Sequence, residues 1–369
     1  MEVGENLNVR EAIVSNRPRE NSGSKSANRF DYQKNWALCK LFEIHLSKDD
    51  YLIVFDYHED IILTDSETNP QKITFYQIKT KETSHWNITD LVRPKNTKDS
   101  SKAFSKIGSL YKNKLLFKEV ADSLHFVSNT YYNVELEDET PANNIKELCI
   151  SRLTESQKKT IIAKLKKELE LENLQIEKDL LYLDISPLSL KENAEHAKGH
   201  LVQFLEKIDP NLRYNGNIIY SVLFDEINRR NNYEWDLEDF EEIKKYKGIG
   251  KSEFSNMVDK IVTSSQSSDL WNELKSDIDE LKLNLKTKKQ LRKQFFKYET
   301  ERMNHSNTHL QNTRSAIIKL ISKHEEKCES LKELMDAVLT EFNTSYKLND
   351  GIFSEEYIMA IILMEFWLS

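Results

Sequence analysis

Two neighbouring segments of the chain, 51–63 and 72–81, have the residue pattern of β-strands. Their sequences, YLIVFDYHEDIIL and KITFYQIKTK, are rich in β-branched and aromatic residues, and the polar stretch TDSETNPQ separates them. This arrangement predicts a β-hairpin. We also predict an amphipathic helix before the hairpin, over 28–46, and a buried strand after it, at SLHFVSN over 123–129.

The remaining pattern predicts more helix than strand. Apolar residues recur at steps of three and four in most of the later segments, for example in 268–303. Further elements of the first half are predicted near 101–120, 154–176, 179–186 and 189–208, the third of these being a short strand. From about residue 211 onward the chain is predicted to be almost entirely helical.

These elements predict two domains after a flexible polar tail at residues 1–27. The first, over 28–210, has the order of helix, antiparallel hairpin, helix and further strand that is typical of a mixed α/β core. The second, over 211–369, has no chemical signature and is most simply an oligomerisation or partner-docking module. Its last apolar run, 358–368, predicts a buried helix or an assembly face, because it is too short to cross a bilayer.

Composition excludes several classes of protein. With 38% hydrophobic and 31% charged residues in 369, the chain is expected to be soluble and globular. Its three cysteines, Cys39, Cys149 and Cys328, are far apart, which argues against a disulfide framework and a zinc ribbon. No signal peptide and no apolar span of 18 residues is present, so we expect a cytoplasmic protein without a membrane partner.

Glycine is scarce, with 8 residues in 369, although loops that bind nucleotides need clustered glycines. Only GIGKS at 248–252 is similar to a phosphate-binding loop. Lys245 stands where that motif requires its first glycine, and the residues before it do not form a buried strand pattern. We therefore predict a turn before a helix that starts near Ser252.

The net charge of −8 hides a basic segment directly after the hairpin. Residues 79–118 contain ten basic side chains against three acidic ones. A segment of this kind favours contact with the phosphates of a nucleic acid, and its position beside the hairpin supports that interpretation. The alternative is a solvated helix whose lysines face water.

Candidate chemistry lies in the hairpin itself. Side chains alternate along a strand, so Gln77 and Lys79 share one face while Ile78 points into the core. Asp60 on the neighbouring strand is expected near that face. An acid, a second oxygen ligand and a lysine suit a hard cation such as Mg²⁺ and a water that attacks phosphate. The simpler alternative is a solvent-facing ion pair of Asp60 and Lys79.

The motifs resemble a known nuclease family when they are taken in order. They are R-x-D-Y-Q…A-L at 29–38, V-F-x-x-H-E-D-I-x-L at 54–63 and F-Y-Q-I-K-T-K at 75–81. Together they resemble the restriction-like PD-(D/E)xK double-stranded-DNA endonuclease domain of bacterial anti-phage effectors, over roughly residues 28–130. That domain is fused to a ligand sensor in cyclic-oligonucleotide (CBASS) systems and also stands beside HerA-type ATPases. Here Gln replaces the third acidic residue of the motif.

The resemblance implies an α/β restriction-endonuclease-like core, DNA as the substrate, Mg²⁺ or Mn²⁺ as the cofactor and a HerA-type ATPase as a partner. Asp60 and Gln77 become the expected metal ligands, with the backbone carbonyl of Ile78 as a further one. Lys79 is expected to position or activate the attacking water and to stabilise charge on the phosphate. Gln33 is expected to orient substrate or a water, and the alternative for it is a surface amide.

Two more acidic residues near the motif rank lower as ligands. Glu59 would point away from Asp60 on a regular strand, and only a bulge would reverse this. Glu43 on the preceding helix is more plausibly solvent-facing.

Two other functions stay open at this point. A nuclease-like DNA-binding or scaffolding subunit would explain the loss of the third acid, and an RNA-directed nuclease would differ only in substrate. A homo-oligomer is expected, since cutting a duplex needs two active centres.

Overall fold

The segment 51–63 folds as two strands joined by a tight turn, and not as one strand. β1 (Leu52–Phe55) pairs antiparallel with β2 (Ile61–Thr64), which pairs antiparallel with β3 (Ile73–Ile78). Asp56 begins the turn with a φ of 45°, a left-handed conformation that Asp tolerates better than most residues. The backbone N–H of Asp56 donates to the carbonyl of Asp60 at 3.0 Å and closes the turn.

A computed structural model describes residues 9–15, 27–94, 104–210, 212, 214, 216–265, 271, 273–302, 307–346 and 353–368. Within these residues the strands form one seven-stranded sheet, in the order β5-β6-β4-β3-β2-β1-β7. The later strands are β4 (Ala121–Ser128), β5 (Glu147–Cys149), β6 (Leu181–Ile185) and β7 (Gly248–Gly250). β3, β4 and β6 are parallel to one another, and the other pairs are antiparallel.

The helices of the first two thirds of the chain are α1 (Val9–Ser15), α2 (Ala27–Ser47), α3 (Ile88–Leu91), α4 (Lys106–Phe117), α5 (Glu155–Glu168), α6 (Asn193–Ile208), α7 (Gly216–Asn231), α8 (Phe240–Lys247) and α9 (Lys251–Ser265). After them come α10 (Lys275–Glu280), α11 (Leu285–Glu301), α12 (Thr308–His324), α13 (Leu331–Tyr346) and α14 (Glu355–Leu368). The predicted α/β core followed by a helical C-terminal region is confirmed.

Two aromatic contacts define the two faces of the sheet. Phe75 and Tyr76 are neighbours on β3, so their side chains point to opposite faces. Phe75 packs on Phe117 of α4, with ring centroids 5.0 Å apart, while Tyr76 packs on Trp36 of α2 at 5.2 Å. We call these the α4 face and the α2 face of the sheet. Helix α6 packs beside α2.

The chain divides into two units, and the division differs from the predicted one at residue 210. Unit 1 comprises residues 1–208 and 223–257, and unit 2 comprises 209–222 and 258–369. Residues 248–250 explain the difference, because they form β7 and pair with β1 of the same sheet. The region after 211 is therefore not all helical, and a sheet strand stands where we predicted a turn.

Glu67 approaches Gly250 closely at the end of β7. A Cβ atom on Gly250 would lie 2.0 Å from the Glu67 carboxylate. That carboxylate accepts a hydrogen bond from the backbone N–H of Ser252 at 3.3 Å and one from the Ser252 hydroxyl. An internal carboxylate thus occupies the start of α9, which agrees with the expectation that GIGKS is not a phosphate-binding loop.

The predicted flexible tail is wrong for residues 9–15, which form α1. Val9 and Ala12, three residues apart, are buried in the core of unit 1. Arg10 is ion-paired with Glu241 of α8, and its guanidinium lies 4.7 Å from the ring centre of Phe240. The few apolar residues of α1 lie within a polar stretch, so the sequence pattern did not indicate a helix there. The remaining residues of the predicted tail lie outside those that the structure describes.

Unit 2 is built around α14. Every residue from Tyr357 to Glu365 in this helix is buried, so the apolar run 358–368 belongs largely to a helical core. Glu365 is only 5% exposed; it accepts two hydrogen bonds from the Arg314 guanidinium, at 2.9 and 3.0 Å, and one from the Tyr298 hydroxyl. These partners compensate the cost of burying the carboxylate. None of the helices described is long and apolar enough to cross a membrane.

Candidate active site

Asp60 connects the turn after β1 to the end of β3. Its Oδ2 accepts a hydrogen bond from the backbone N–H of Ile78 at 2.6 Å and one from the Lys79 ammonium at 3.0 Å. The Asp60 and Lys79 side chains are 19% and 34% exposed, so the ion pair is partly shielded from water. The structure thus brings Asp60 and Lys79 together, as the hairpin pattern predicted.

Gln77 is buried beside this pair and keeps one polar atom unused. Its Nε2 donates to Glu59 at 3.2 Å, whereas its Oε1 has no hydrogen-bond partner. Glu59 also accepts from the side-chain amide of Asn113 on α4 at 3.0 Å. A buried oxygen without a partner is unusual and suggests a ligand.

Glu59 lies close to Gln77, contrary to the lower rank that a regular strand gave it. The reason is the turn: Glu59 stands in the tight connection 56–60, where strand alternation does not apply. Glu43 behaves as expected for an exposed helix residue, since its carboxylate pairs with Lys40 at 2.8 Å.

Gln33 contacts the backbone of β3 at its last residue, Ile78. From α2, its Nε2 donates to the carbonyl oxygen of Ile78 at 3.1 Å. The side chain is therefore not a free surface amide. Because the N–H of Ile78 is held by Asp60 and its carbonyl by Gln33, both polar groups of this peptide residue are fixed. A carbonyl oxygen has two lone pairs, so the contact with Gln33 leaves one for a further ligand.

Lys247 supports the turn from a distant part of the sequence. It is buried, and its ammonium donates to the backbone carbonyl of Asp56 at 2.8 Å. Burial lowers the pKa of Lys247. Partial desolvation raises the pKa of the nearby Asp56 carboxyl, which Lys247 opposes and Asp60 reinforces. Sequence reasoning missed Lys247 and Asn113, because no local signal connects either residue with the hairpin.

The basic segment 79–118 is neutralised in part where the structure describes it. Lys81 pairs with Asp90 at 2.8 Å, and Lys114 pairs with Glu177 at 3.1 Å. The predicted contributions of Lys95, Lys98 and Lys102 lie outside the described residues. The contact of this segment with nucleic acid therefore remains a prediction, with fewer available lysines than the count suggested.

The donor atoms around Gln77 fit a hard divalent cation. Asp60 and Glu59 offer carboxylate oxygens, Gln77 offers the unpartnered amide oxygen, and Ile78 offers a carbonyl. Mg²⁺ and Mn²⁺ prefer oxygen ligands of this kind. Lys79 adds a positive charge beside them, where a phosphate would gain from it.

Two comparisons with known proteins bear on this site. A family model described as "Cap4, dsDNA endonuclease domain" matches residues 21–231, more than half of the chain. The chain is also similar to the Lamassu protein LmuA of Bacillus cereus (strain VD014), at 23% identity over 246 residues. That alignment covers 65% of this chain and 64% of the relative, so the chain spans somewhat less than two thirds of the relative's length.

Proposed function

Because this chain belongs to the family of Cap4 double-stranded-DNA endonuclease domains, we propose that it cuts DNA by metal-dependent hydrolysis of phosphodiester bonds in anti-phage defence. The observation that carries the proposal is the cluster of Asp60, Gln77 and Lys79 at the ends of β2 and β3. Their order along the chain matches the motif: Lys79 donates to Asp60, and Gln77, two residues before Lys79, donates to Glu59, the residue before Asp60.

Each residue of the cluster has a role in this proposal. Asp60 and Gln77 would hold a divalent cation, with the carbonyl of Ile78 as a further ligand and Glu59 as an additional acid. When bound, the cation would offset negative charge on the phosphate and favour loss of a proton from the attacking water. Gln77 is neutral, so the negative charge that the motif usually has at this position comes from Glu59 in our proposal.

Lys79 and Gln33 act around that centre. The Lys79 ammonium stabilises the negative charge that builds up on the phosphate as the bond breaks. In the structure it pairs with Asp60, so it shares its charge between the carboxylate and an incoming phosphate. Gln33 keeps the Ile78 carbonyl in place and is a positioning residue, which refines the expectation that it orients substrate directly.

Partners follow from chemistry and from resemblance. A double-strand cut needs two active centres, so we propose that the chain acts as a homo-oligomer. The relative's name places that relative in a Lamassu system. This supports the proposal that the present chain acts within a defence complex. A HerA-type ATPase is the partner that the motif resemblance implies, and the helical unit 2 is its proposed docking module.

A plasmid assay tests the proposed activity. Purified protein is incubated with supercoiled plasmid and Mg²⁺ or Mn²⁺, with EDTA as the control, alone and with a HerA-type ATPase from the same genome. We expect nicked or linear products only where divalent metal is present. Cleavage that persists in EDTA would exclude the metal mechanism. Binding of DNA without any cleavage under all conditions would favour the DNA-binding or scaffolding subunit, and cleavage of RNA alone would favour the RNA-directed nuclease.

The oligomer is tested separately by light scattering of the full chain. A strictly monomeric protein that cuts both strands without a partner would contradict the proposed assembly while leaving the chemistry intact.

A further inference from the structure

A second group of metal-ligand side chains lies on β4, β6 and β5, the three strands on one side of β3 in the sheet. His125 on β4, Glu147 on β5 and Asp184 on β6 each offer one ligand atom, and these atoms all lie within 4.8 Å of one another. The pairing of the strands explains why these side chains lie close together. Glu147 stands directly opposite Asp184 in the antiparallel pair of β5 and β6, so their side chains share a face.

This group is separate from the candidate active site. His125 stacks near Tyr76, with ring centroids 4.8 Å apart, so it lies on the α2 face of the sheet. Gln77, the next residue after Tyr76, points to the α4 face. The two sets of ligands are therefore on opposite sides of β3.

Asp184 keeps an unused oxygen in a buried place. The residue is 7% exposed, and its Oδ2 lies 2.7 Å from Nδ1 of His125. Its Oδ1 has no hydrogen-bond partner. A buried carboxylate oxygen without a partner is costly, so a ligand that uses it would remove an existing penalty.

The imidazole of His125 is held in one orientation by its neighbours. Tyr182 stacks on it, with ring centroids 4.7 Å apart and an interplanar angle of 6°. Its Nε2 lies 3.2 Å from the Ser123 hydroxyl, which in turn is 3.1 Å from the hydroxyl of Thr74. Metal-binding histidines commonly have their second nitrogen fixed by such a hydrogen bond.

The local charge favours a cation. Asp184 and Glu147 stand opposite one another in the β5–β6 pair, and their carboxylates lie within 4.8 Å of the His125 ring nitrogen that faces them. The two carboxylates therefore act on the same small region of the α2 face. Glu147 is exposed, so an ion can reach the group from solvent at that side.

We propose that His125, Glu147 and Asp184 form a binding site for Zn²⁺. One imidazole nitrogen with two carboxylates is a donor set that suits zinc and related transition metals better than Mg²⁺. Ligand atoms around a tetrahedral zinc are about 3.3 Å apart, given bonds of about 2.0 Å. The ligand atoms of the three residues lie within 4.8 Å of one another, so small side-chain movements would bring them to this spacing, and the proton between Asp184 Oδ2 and His125 Nδ1, 2.7 Å apart, would leave.

Such an ion would fasten the edge of the sheet. β5 has only three residues and lies at the end of the strand order, where pairing is weakest. A metal that links Glu147 to ligands on β4 and β6 would hold this edge strand. We therefore assign the site a structural role.

Calorimetric titration with ZnCl2 tests the site. The starting protein is the full chain with Asp60→Asn, because that change weakens metal binding at the candidate active site. We expect one zinc ion per chain. Adding Glu147→Gln should weaken the affinity at least tenfold, whereas Glu119→Gln, which also neutralises an exposed glutamate of unit 1, should leave it unchanged. Zinc should also raise the melting temperature of the Glu119→Gln protein and not that of the Glu147→Gln protein.

Cobalt gives an independent readout, since Co²⁺ in a zinc-like site absorbs visible light. We expect bands in the Asp60→Asn protein that disappear with Glu147→Gln and are reduced with Glu147→Asp, whose shorter side chain keeps the charge. Equal zinc affinity in the Glu147→Gln and Glu119→Gln proteins would overturn the proposal, as would the absence of any zinc binding. Either result would make His125 and Asp184 an ordinary buried pair.

Discussion

At the scale of single residues, Asp60 does two things with one carboxylate. It fixes the backbone of the motif strand through the N–H of Ile78, and it holds the Lys79 ammonium. A hydrogen bond between charged groups in a partly shielded place is stronger than one between neutral groups. The position of Lys79 is thus set before any substrate binds. A charge that is already in place can stabilise the transition state without first having to move.

Lys79→Ala should lower cleavage by a factor on the order of 10²–10³ and leave stability nearly unchanged. The side chain is about one third exposed, and an ion pair of this kind contributes at most about 1 kcal/mol. The matched control is Lys72→Ala, which removes another ion-paired lysine, 2.8 Å from Asp122 and seven residues earlier. Plasmid nicking and thermal melting are measured for both. Wild-type nicking by the Lys79 variant would remove it from the proposed mechanism.

Gln77→Glu should preserve or raise activity at pH 8 if Gln77 is a metal ligand, since a carboxylate binds Mg²⁺ more tightly than an amide. The new carboxylate would stand about 3 Å from Glu59, and two such groups resist ionising together. One of them should therefore keep a proton as the pH falls, so activity should drop towards pH 6 more steeply than in the wild type. A pH series at fixed Mg²⁺ measures this, and a flat or inactive series would contradict the role of Gln77.

Glu299 in unit 2 should make stability depend on pH. Burial raises its pKa from 4.5 to about 7, against the opposing effect of Arg302. The folded chain thus holds the proton more tightly than the unfolded chain, and stability falls as the pH rises from about 4.5 to about 7. We expect a loss of about 1–3 kcal/mol over that window. Denaturant unfolding at pH 5 and pH 7.5 should show the loss, and Glu299→Gln should remove most of it.

At the scale of elements, the hairpin region shows what sequence could and could not predict. The β-branched runs fixed the strand character of 51–63 and 72–81, and the partnership of Asp60 with Lys79 followed from it. The turn 56–60 was not predicted, because FDYHED contains no glycine or proline to mark it. Glu59 was ranked too low for the same reason. The resemblance over 28–130 is confirmed by the family match to residues 21–231.

Contacts between residues far apart in the sequence could not be predicted from local sequence patterns. β7 has three residues, GIG, which show no alternation, and it pairs with a strand almost two hundred positions earlier. Lys247 and Asn113 reach the turn only because α8 and α4 pack against it. Such contacts depend on the whole sheet, and a single sequence has no periodic signal for them.

Gly248→Ala should destabilise unit 1 by about 1–3 kcal/mol. A Cβ there would lie 2.9 Å from the backbone oxygen of Lys244 and 2.7 Å from Leu52, so α8 or β1 must shift. Because Lys247 belongs to the same α8–β7 corner, cleavage should fall as well. The control is Gly199→Ala in α6, where a Cβ meets nothing within 4 Å and alanine favours helix. Equal stability of the two variants, by denaturant unfolding, would contradict the pairing of β7.

At the scale of the whole molecule, the chain joins a nuclease unit to a helical unit that has its own core. α14 supplies the most completely buried helix of unit 2, with the Glu365 network at its end. The helix is thus needed to fold the unit. Its exposed residues lie at its two ends: Glu355 at the start, and Trp367 and Leu368 in the last turn, where they are 45% and 44% exposed.

Removal of residues 355–369 should therefore unfold unit 2, and not only weaken self-association as a purely surface segment would. We expect loss of helical circular dichroism and of part of the cooperative melting transition. Trp367→Ala is the control, since it changes the exposed end and keeps the buried residues Tyr357–Glu365. Should the shortened protein keep its helical content and melt like the full chain, α14 would not be part of the core.

The position of β7 also has a consequence for how the protein is made. A ribosome releases the chain from its N-terminus, so β1 emerges long before Gly248–Gly250, which covers its outer edge through pairs at Leu52, Ile53 and Val54. Until then that apolar edge has unpaired backbone groups and can capture strands of other chains. A recombinant nuclease domain that stops at residue 231, where the family match ends, would keep this edge open permanently. We expect such a fragment to aggregate, and a gene that extends to residue 257, the last residue of unit 1, to yield the complete seven-stranded sheet.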